Sequence, residues 1–147
     1  MSKYTYPVLS IRVIDGDTVE ATLDLGDGIS AIRSLRIPNI DAPERSTVAG
    51  KAVALVVQAW ADSAIRQGRL MADWFGRDKF GRGLGDLYFH PPMSAPTRAV
   101  VAVADERLST YLLAHGLARP YTGDKKQPWS DAELATVETL ARALIAQ

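Results

Sequence analysis

The 147-residue chain contains no cysteine. Disulfide staples, thiolate metal sites and cysteine nucleophiles are therefore excluded, and the redox compartment stays open. Histidine is almost as scarce, with only His90 and His115, too few for a histidine-rich metal site or for most imidazole-based catalysis. Net charge is missing too, since 17 basic residues balance 17 acidic ones. A protein that holds long duplexes mainly by charge is usually basic, because phosphate neutralisation dominates non-specific affinity. Any nucleic-acid contact is thus expected to be local, made by a few arginines and lysines in a cleft. No apolar run approaches the ~20 residues that span a bilayer. The N-terminus, Met-Ser-Lys-Tyr-Thr-Tyr-Pro, lacks the long apolar region of a signal peptide. No membrane partner is expected, and the location reads as cytoplasmic or undefined.

What is present is ordinary for a globular chain: 47% hydrophobic and 23% charged residues, enough to bury a core and too apolar for wholesale disorder. The length suits one compact domain over residues 1–147. No repeat or low-complexity tract interrupts it.

Hydrophobic periodicity gives the organisation. Leu9, Ile11 and Val13 alternate with Ser10 and Arg12, and Val19, Ala21, Leu23 and Leu25 alternate with polar neighbours. Both segments read as half-buried strands. Gly26-Asp27-Gly28 signals a hairpin, to which Asp24 and Asp27 are assigned, and a third strand follows over Ser30–Ile37. Pro38 and Pro43 bracket an irregular loop, Asn39–Glu44. From about Thr47 to Gln67 the period becomes helical, with Val53, Val56, Trp60 and Ala64 on one face and Gly68 at the C-terminal stop. Leu70–Phe75 and Leu84–Phe89 read as two further strands, His90–Thr97 as a loop and Ala99–Val103 as a short extra strand. A helix over Glu106–His115 ends at Gly116. In the last helix Ser130 and Glu133 form a capping box, Trp129 and Leu134 a hydrophobic staple, and Leu134, Val137, Leu140 and Leu144 the buried stripe. Five strands, a helix between the third and fourth, and helices at the end make an α+β arrangement. It matches a five-stranded OB-fold β-barrel, which presents one face to oligonucleotides.

Three short elements carry the chemistry: Asp15-Gly-Asp-Thr-Val19, Arg36-Ile-Pro-Asn-Ile-Asp-Ala-Pro-Glu44 and Asp78-Lys-Phe-Gly-Arg-Gly-Leu84. Asp17 and Asp41 are candidate ligands of a hard divalent cation, which takes carboxylate, carbonyl and water oxygens. Each is equally an ordinary turn residue beside glycine or proline. Arg36, on the strand face opposite Leu35 and Ile37, and Arg82, in a glycine-flanked turn, are the candidate phosphate clamp. Two guanidinium groups on one phosphate would stabilise the extra charge of a pentacoordinate transition state. The plain alternatives are a solvent-facing strand arginine and a surface turn residue. Glu44 suits a base that accepts a proton from a metal-bound water, or an acid that complements the dipole of the following helix.

In their order and spacing these elements resemble the staphylococcal nuclease (thermonuclease) family. A weaker fourth match is Leu112-Leu-Ala-His-Gly-Leu-Ala118 followed by Tyr121, and the resemblance covers about residues 8–145. It implies an OB-fold barrel with three helices and a single Ca²⁺ site, held by the Asp17 and Asp41 carboxylates and the Ala42 carbonyl. Glu44 would act on the attacking water, and Arg36 and Arg82 would clamp the scissile phosphate. Lys79, Phe80 and Tyr121 would contact the bound nucleotide, Tyr121 by stacking on a base. The implied reaction is Ca²⁺-dependent, sugar-non-specific hydrolysis of single-stranded DNA or RNA to 3′-phosphates; a monomer is expected, with an oligomer left open. Some matches depart from the pattern. Phe80 stands where tyrosine is common, one residue is missing before Tyr121, and Gly123 lies near where a second tyrosine is expected. The segment from His90 to Val103 is also longer than in the family's prototype. Two other readings remain beside the nuclease: an OB-fold module that binds nucleic acid or protein without cutting, and a phosphodiesterase of small nucleotides.

Overall fold

The computed structural model describes residues 4–89, 106–123 and 125–146. Alternating apolar residues build the first three strands, β1 (Tyr4–Asp15), β2 (Thr18–Gly26) and β3 (Ile29–Arg36), into an antiparallel meander. The two-residue strand β4 (Ile40–Asp41) leads into helix α1 (Val48–Arg66). Next come β5 (Leu70–Arg77), β6 (Gly83–Phe89), the short β7 (Glu106–Arg107), helix α2 (Leu108–Ala114), the short β8 (Arg119–Pro120) and helix α3 (Asp131–Ile145). Strand β5 pairs antiparallel with both β1 and β6. Strand β6 then runs parallel to β3, placing Leu35 opposite Gly83 and Arg36 opposite Leu84. That seam closes β1-β2-β3-β6-β5 into a five-stranded barrel. With the three helices of the described residues it is the expected α+β OB-fold.

The core lies between the barrel and α1, which buries Val53, Val56, Val57, Ala61 and Ala64. By length and composition α1 would pass for a membrane span, against the expectation that no such run exists. Its apolarity is that of a core helix, because more than half of it is buried inside the protein. Both inner helix ends stop as their glycines predict. Gly68 N–H donates to the Ile65 carbonyl and Arg69 N–H to Ala64, while Gly116 and Leu117 do the same to Leu113 and Leu112. The Ser130–Glu133 capping box is present at α3, and Trp129 and Leu134 both pack partly against the core.

Several expectations need correction. Leu9 is 51% exposed and Val8 is buried, because a bulge between Val8 and Ser10 resets the alternation of β1. Leu25 is also exposed, near the end of β2 where the hairpin begins. On α3 the buried positions are Val137 and Ala141. Leu140 turns outward and lies over Gly116 instead. Glu106 and Arg107 pair with β6 as strand, so α2 begins only at Leu108. His90, the loop assigned to His90–Thr97 and the strand assigned to Ala99–Val103 lie outside the described residues.

Two buried acids that sequence patterning does not mark, Asp73 and Asp86, face one another across β5 and β6. Asp73 accepts from Thr5 Oγ1 at 2.8 Å and pairs with Arg107 at 2.9 Å. Asp86 accepts from Ser109 Oγ at 2.5 Å and from the Leu87 N–H at 2.9 Å, which ties the start of α2 to the barrel. Burial pushes the Asp86 carboxyl above its ordinary value, outweighing the hydrogen bonds from Ser109 and Leu87 and the attraction of Arg107. The folded state therefore holds this proton more tightly than the unfolded state does. Stability gained from the protonated acid is complete below the unfolded value, 3.8, and is lost as pH rises through the raised one. Asp86→Asn should remove that loss, so urea midpoints of variant and wild type should draw apart on raising the pH through this window. Parallel pH profiles would contradict the assignment.

Candidate nuclease site

Arg36 ends β3, where the barrel seam forms, and is only 8% exposed, so the solvent-facing reading of this arginine fails. Its Nη1 donates to the carbonyls of Ile37 at 2.5 Å and Asp17 at 3.4 Å, and Nη2 donates to Ile40 at 2.9 Å. The same Nη2 stands 3.6 Å from Asp17 Oδ2. Asp17, 4% exposed, accepts the Ala42 N–H on Oδ2 at 2.9 Å and the Thr18 hydroxyl on Oδ1 at 3.0 Å. The turn between β1 and β2 is thus fastened to the loop that carries Asp41 and Ala42. Gly16 permits that approach: a methyl group there would meet Val53 Cγ1 at 2.6 Å and Ala42 Cβ at 3.0 Å.

Asp41 is 5% exposed and sits in β4, opposite Arg119 of β8. That register produces an ion pair from Arg119 Nη2 to Asp41 Oδ2 at 3.1 Å. Lys126 Nζ lies 3.5 Å from the other carboxylate oxygen. Arg119 also donates to the Gln127 carbonyl, reaches Glu133 at 3.5 Å and stacks with its Cζ 4.1 Å from the centre of the Trp129 ring. Glu133, already held by the Ser130 backbone N–H and hydroxyl, has its carboxyl below the ordinary range, with burial opposing and Arg119 assisting. Asp41, Arg119, Tyr121 and Lys126 line a pocket of about 350 Å³. Tyr121 is fixed by its N–H on the Asn39 carbonyl at 2.9 Å. Its ring centre lies 6.0 Å from the Arg36 guanidinium and 5.9 Å from Lys126 Nζ.

The fold thus gathers the buried Asp17, Arg36, Asp41 and Ala42 into one centre, with the half-buried Tyr121 at its side. Glu44 lies just beyond it and is exposed. It precedes the N-cap Thr47 by three residues, outside the first turn of α1, which holds no acid. Its main chain is anchored instead: the Glu44 carbonyl accepts from the Thr47 hydroxyl at 2.7 Å and N–H at 3.0 Å. Asp15 accepts the neighbouring Arg45 N–H at 2.7 Å.

Lys79, Phe80 and Arg82 occupy a separate turn between β5 and β6. There Asp78 accepts the N–H groups of Phe80 and Arg82 on Oδ1 and Arg82 Nε at 2.8 Å on Oδ2. Against the cost of burial, those bonds hold the Asp78 carboxyl below its ordinary value. The Arg82 side chain remains 57% exposed and lies 5.6 Å from the Phe80 ring centre, with Lys79 Nζ at 5.2 Å. Arg82 precedes Gly83, the seam partner of Leu35, so the turn abuts the centre without its guanidinium entering the Arg36 cluster.

No three His, Asp or Glu side chains gather among the described residues. A bound ion would therefore take two carboxylates, main-chain carbonyl and water. Asp17 and Asp41 fit that demand as buried oxygen donors, and an ion there would displace, or share them with, Arg36, Arg119 and Lys126, which already lie against them. Sequence reading missed Arg119, Lys126 and Gly50, and gave Asp15 no role of its own. Lys125-Lys126 beside a stacking tyrosine was the available signal for the basic wall, and a glycine in the first turn of a helix was the signal for Gly50.

The family model of the staphylococcal nuclease homologues matches residues 34–144, and the chain belongs to that family. The match takes in Arg36, Asp41, Glu44 and Arg82 and begins after Asp17. No curated protein matches the chain.

A methyl group at Gly50 would lie 1.8 Å from the Glu44 carbonyl oxygen and 2.8 Å from that of Pro43. Alanine ordinarily gains about 1 kcal/mol over glycine in a helix, but this contact is with main chain that cannot rotate away. Gly50→Ala should therefore destabilise by about 1–3 kcal/mol and displace Glu44. Urea unfolding measures the first effect, and a stability gain would refute the contact.

Proposed function

We propose that this protein is a Ca²⁺-dependent nuclease that hydrolyses phosphodiester bonds of single-stranded DNA or RNA, without sugar preference, to 3′-phosphate products. The observation that carries this reading is the burial of Asp17 and Arg36 together beside Asp41, with Glu44 and Arg82 exposed at its edge. Family membership supports the nuclease class and a nucleic-acid-binding role.

In this reading Asp17 and Asp41, with the Ala42 carbonyl, hold the cation. When bound, that ion supplies charge neutralisation at the phosphate and a more acidic water. Glu44 accepts the proton of the attacking water or orients it. Arg36 and Arg82 donate charge-assisted hydrogen bonds to the phosphate oxygens, where charge accumulates in the transition state. Arg82 also stands by the departing 5′-oxygen. Asp78 orients the Arg82 guanidinium while leaving it exposed to substrate. Lys79 and Phe80 contact the nucleotide, and Tyr121 stacks on a base.

A second reading is favoured by one observation: Arg119 and Lys126 already satisfy both oxygens of Asp41. Such a carboxylate suits a module that binds nucleic acid through its basic wall and does not cut.

The test is cleavage of single-stranded DNA and RNA with Ca²⁺, with Mg²⁺ and with chelator, beside the double variant Glu44→Gln, Arg82→Ala. Calcium-dependent cleavage that the variant loses is the expected result. A folded wild type that cuts with none of these metals would transfer the assignment to the binding module. Arg82→Lys, and Arg36→Lys in a variant whose circular dichroism and urea midpoint show it folded, should each lower turnover by about 10²–10³-fold, since an ammonium cannot reproduce the guanidinium fork. Near-normal activity in either would remove that residue from the clamp. Asp17→Asn should weaken Ca²⁺ binding in calorimetry, and an unchanged affinity would take Asp17 out of the site.

A further inference from the structure

At the end of the barrel where β1 starts, a groove of about 270 Å³ opens between strands. Its walls are aromatic and basic over an aliphatic floor of Leu23, Leu25 and Ala31. Tyr4 and Tyr6 project from β1 with ring centres 6.2 Å apart and planes within 17° of parallel. Trp74 faces them from β5, where Tyr4 pairs with Trp74 in the strand register. The Arg77 guanidinium lies 5.5 Å from the Trp74 ring centre, and Arg33 enters from β3. Two arginines and no acid line this groove. Tyr4 is 57% exposed, a heavy load of aromatic surface for a strand face to leave uncovered.

The groove is continuous with the turn that carries Arg82. Arg77 Nη1 donates to the Gly81 carbonyl at 3.0 Å. A methyl group at Gly83 would meet the Trp74 ring at 2.7 Å, so that ring lies directly on the seam opposite Leu35. Beyond it, Phe80 is 72% exposed between Lys79 and Arg82. Aromatic rings and cations therefore share one strip, from Tyr4, Tyr6 and Trp74 to Arg77 and on to Phe80 and Arg82, whose one acid, Asp78, is paired to Arg82.

We propose that this strip is an extended binding track for single-stranded nucleic acid, holding nucleotides that flank the scissile phosphate. Rings in series suit successive bases, because every base has a π-face, and the arginines beside them suit the backbone. The absence of acid along the groove matches a polyanion in a protein whose total charge is zero. The track rests on the nuclease reading only in its direction, since it runs toward Arg82; its contacts with a strand need no cleavage.

The test uses Tyr4→Ser with Arg33→Gln, two exposed positions that make none of the contacts of Asp17, Arg36 and Asp41 described above, and Tyr4→Phe as the variant that keeps the ring. An octanucleotide and a dinucleotide are compared as cleavage substrates, and octanucleotide binding is read by fluorescence anisotropy in chelator. Loss of about tenfold in octanucleotide affinity is expected for the double variant. Dinucleotide turnover should be unchanged and Tyr4→Phe should behave as wild type. Salt dependence should also weaken, by about 0.7 in the log–log slope for the one cation removed. Equal octanucleotide affinity in wild type and double variant would overturn the track while leaving the nuclease intact. Should the wild type cut neither substrate, the nuclease reading fails alone, and the anisotropy still decides. Binding that falls in the double variant supports the track, and binding that is absent or unaltered overturns it.

Discussion

A buried guanidinium governs this structure. Arg36 sits at the end of β3 with its cationic head inside the protein. An unpaired charge in that position would cost several kcal/mol, so the surrounding chain must supply partners. Three main-chain carbonyls and one carboxylate do so: Asp17, Ile37 and Ile40 give carbonyl oxygens, and Asp17 adds Oδ2. Satisfying this one cation fixes the β1–β2 turn, the exit of β3 and the entry to β4 relative to one another. Asp17, Asp41 and Ala42 inherit their positions from that arrangement. A lysine in the same place would offer fewer directed donors and could not hold three loops at once.

The barrel was legible in the sequence because alternation and turn chemistry are local signals. Val19, Ala21 and Leu23 are buried as their period demands, and Gly68 and Gly116 stop their helices through the expected carbonyl contacts. The failures are those that local pattern cannot report. Leu9 follows the period of β1 but is turned out by a bulge that only the partner strand reveals. Leu140 fits the helical stripe of α3, yet the surface that α3 covers is set by tertiary packing. Within the site, Asp17, Arg36, Asp41 and Tyr121 were marked by motif and do converge. Arg119 was not marked, because its importance comes from lying opposite Asp41 in a two-residue pairing. Nothing in the sequence announces so short a ladder.

Zero net charge conceals a strong local order. Cations cluster around Asp41 through Arg119 and Lys126 and recur along the strip from Arg33 to Arg82. Acids are handled differently in each place. Asp73 and Asp86 are buried and satisfied within the protein, Asp78 is spent in shaping its own turn, and Glu133 caps a helix while steadying Arg119. Arg82 and Lys126 are therefore left substantially exposed near the site, together with the acid Glu44, although the totals cancel.

The barrel seam has a consequence for how the protein acquires its site. Leu35 and Gly83 meet across the whole of α1 and the β5–β6 turn, a contact between segments distant in the chain. Loop-closure entropy makes such pairings late events in folding, whereas the β1–β2–β3 meander joins near neighbours and forms from local contacts. Arg36 stands on that seam and Arg82 immediately beside it. A partly folded chain thus possesses its hairpins without bringing the two guanidinium-bearing segments together. The register that sets Arg36 opposite Leu84 therefore reports barrel closure itself, and the two guanidinium-bearing segments meet only in molecules that have completed their topology.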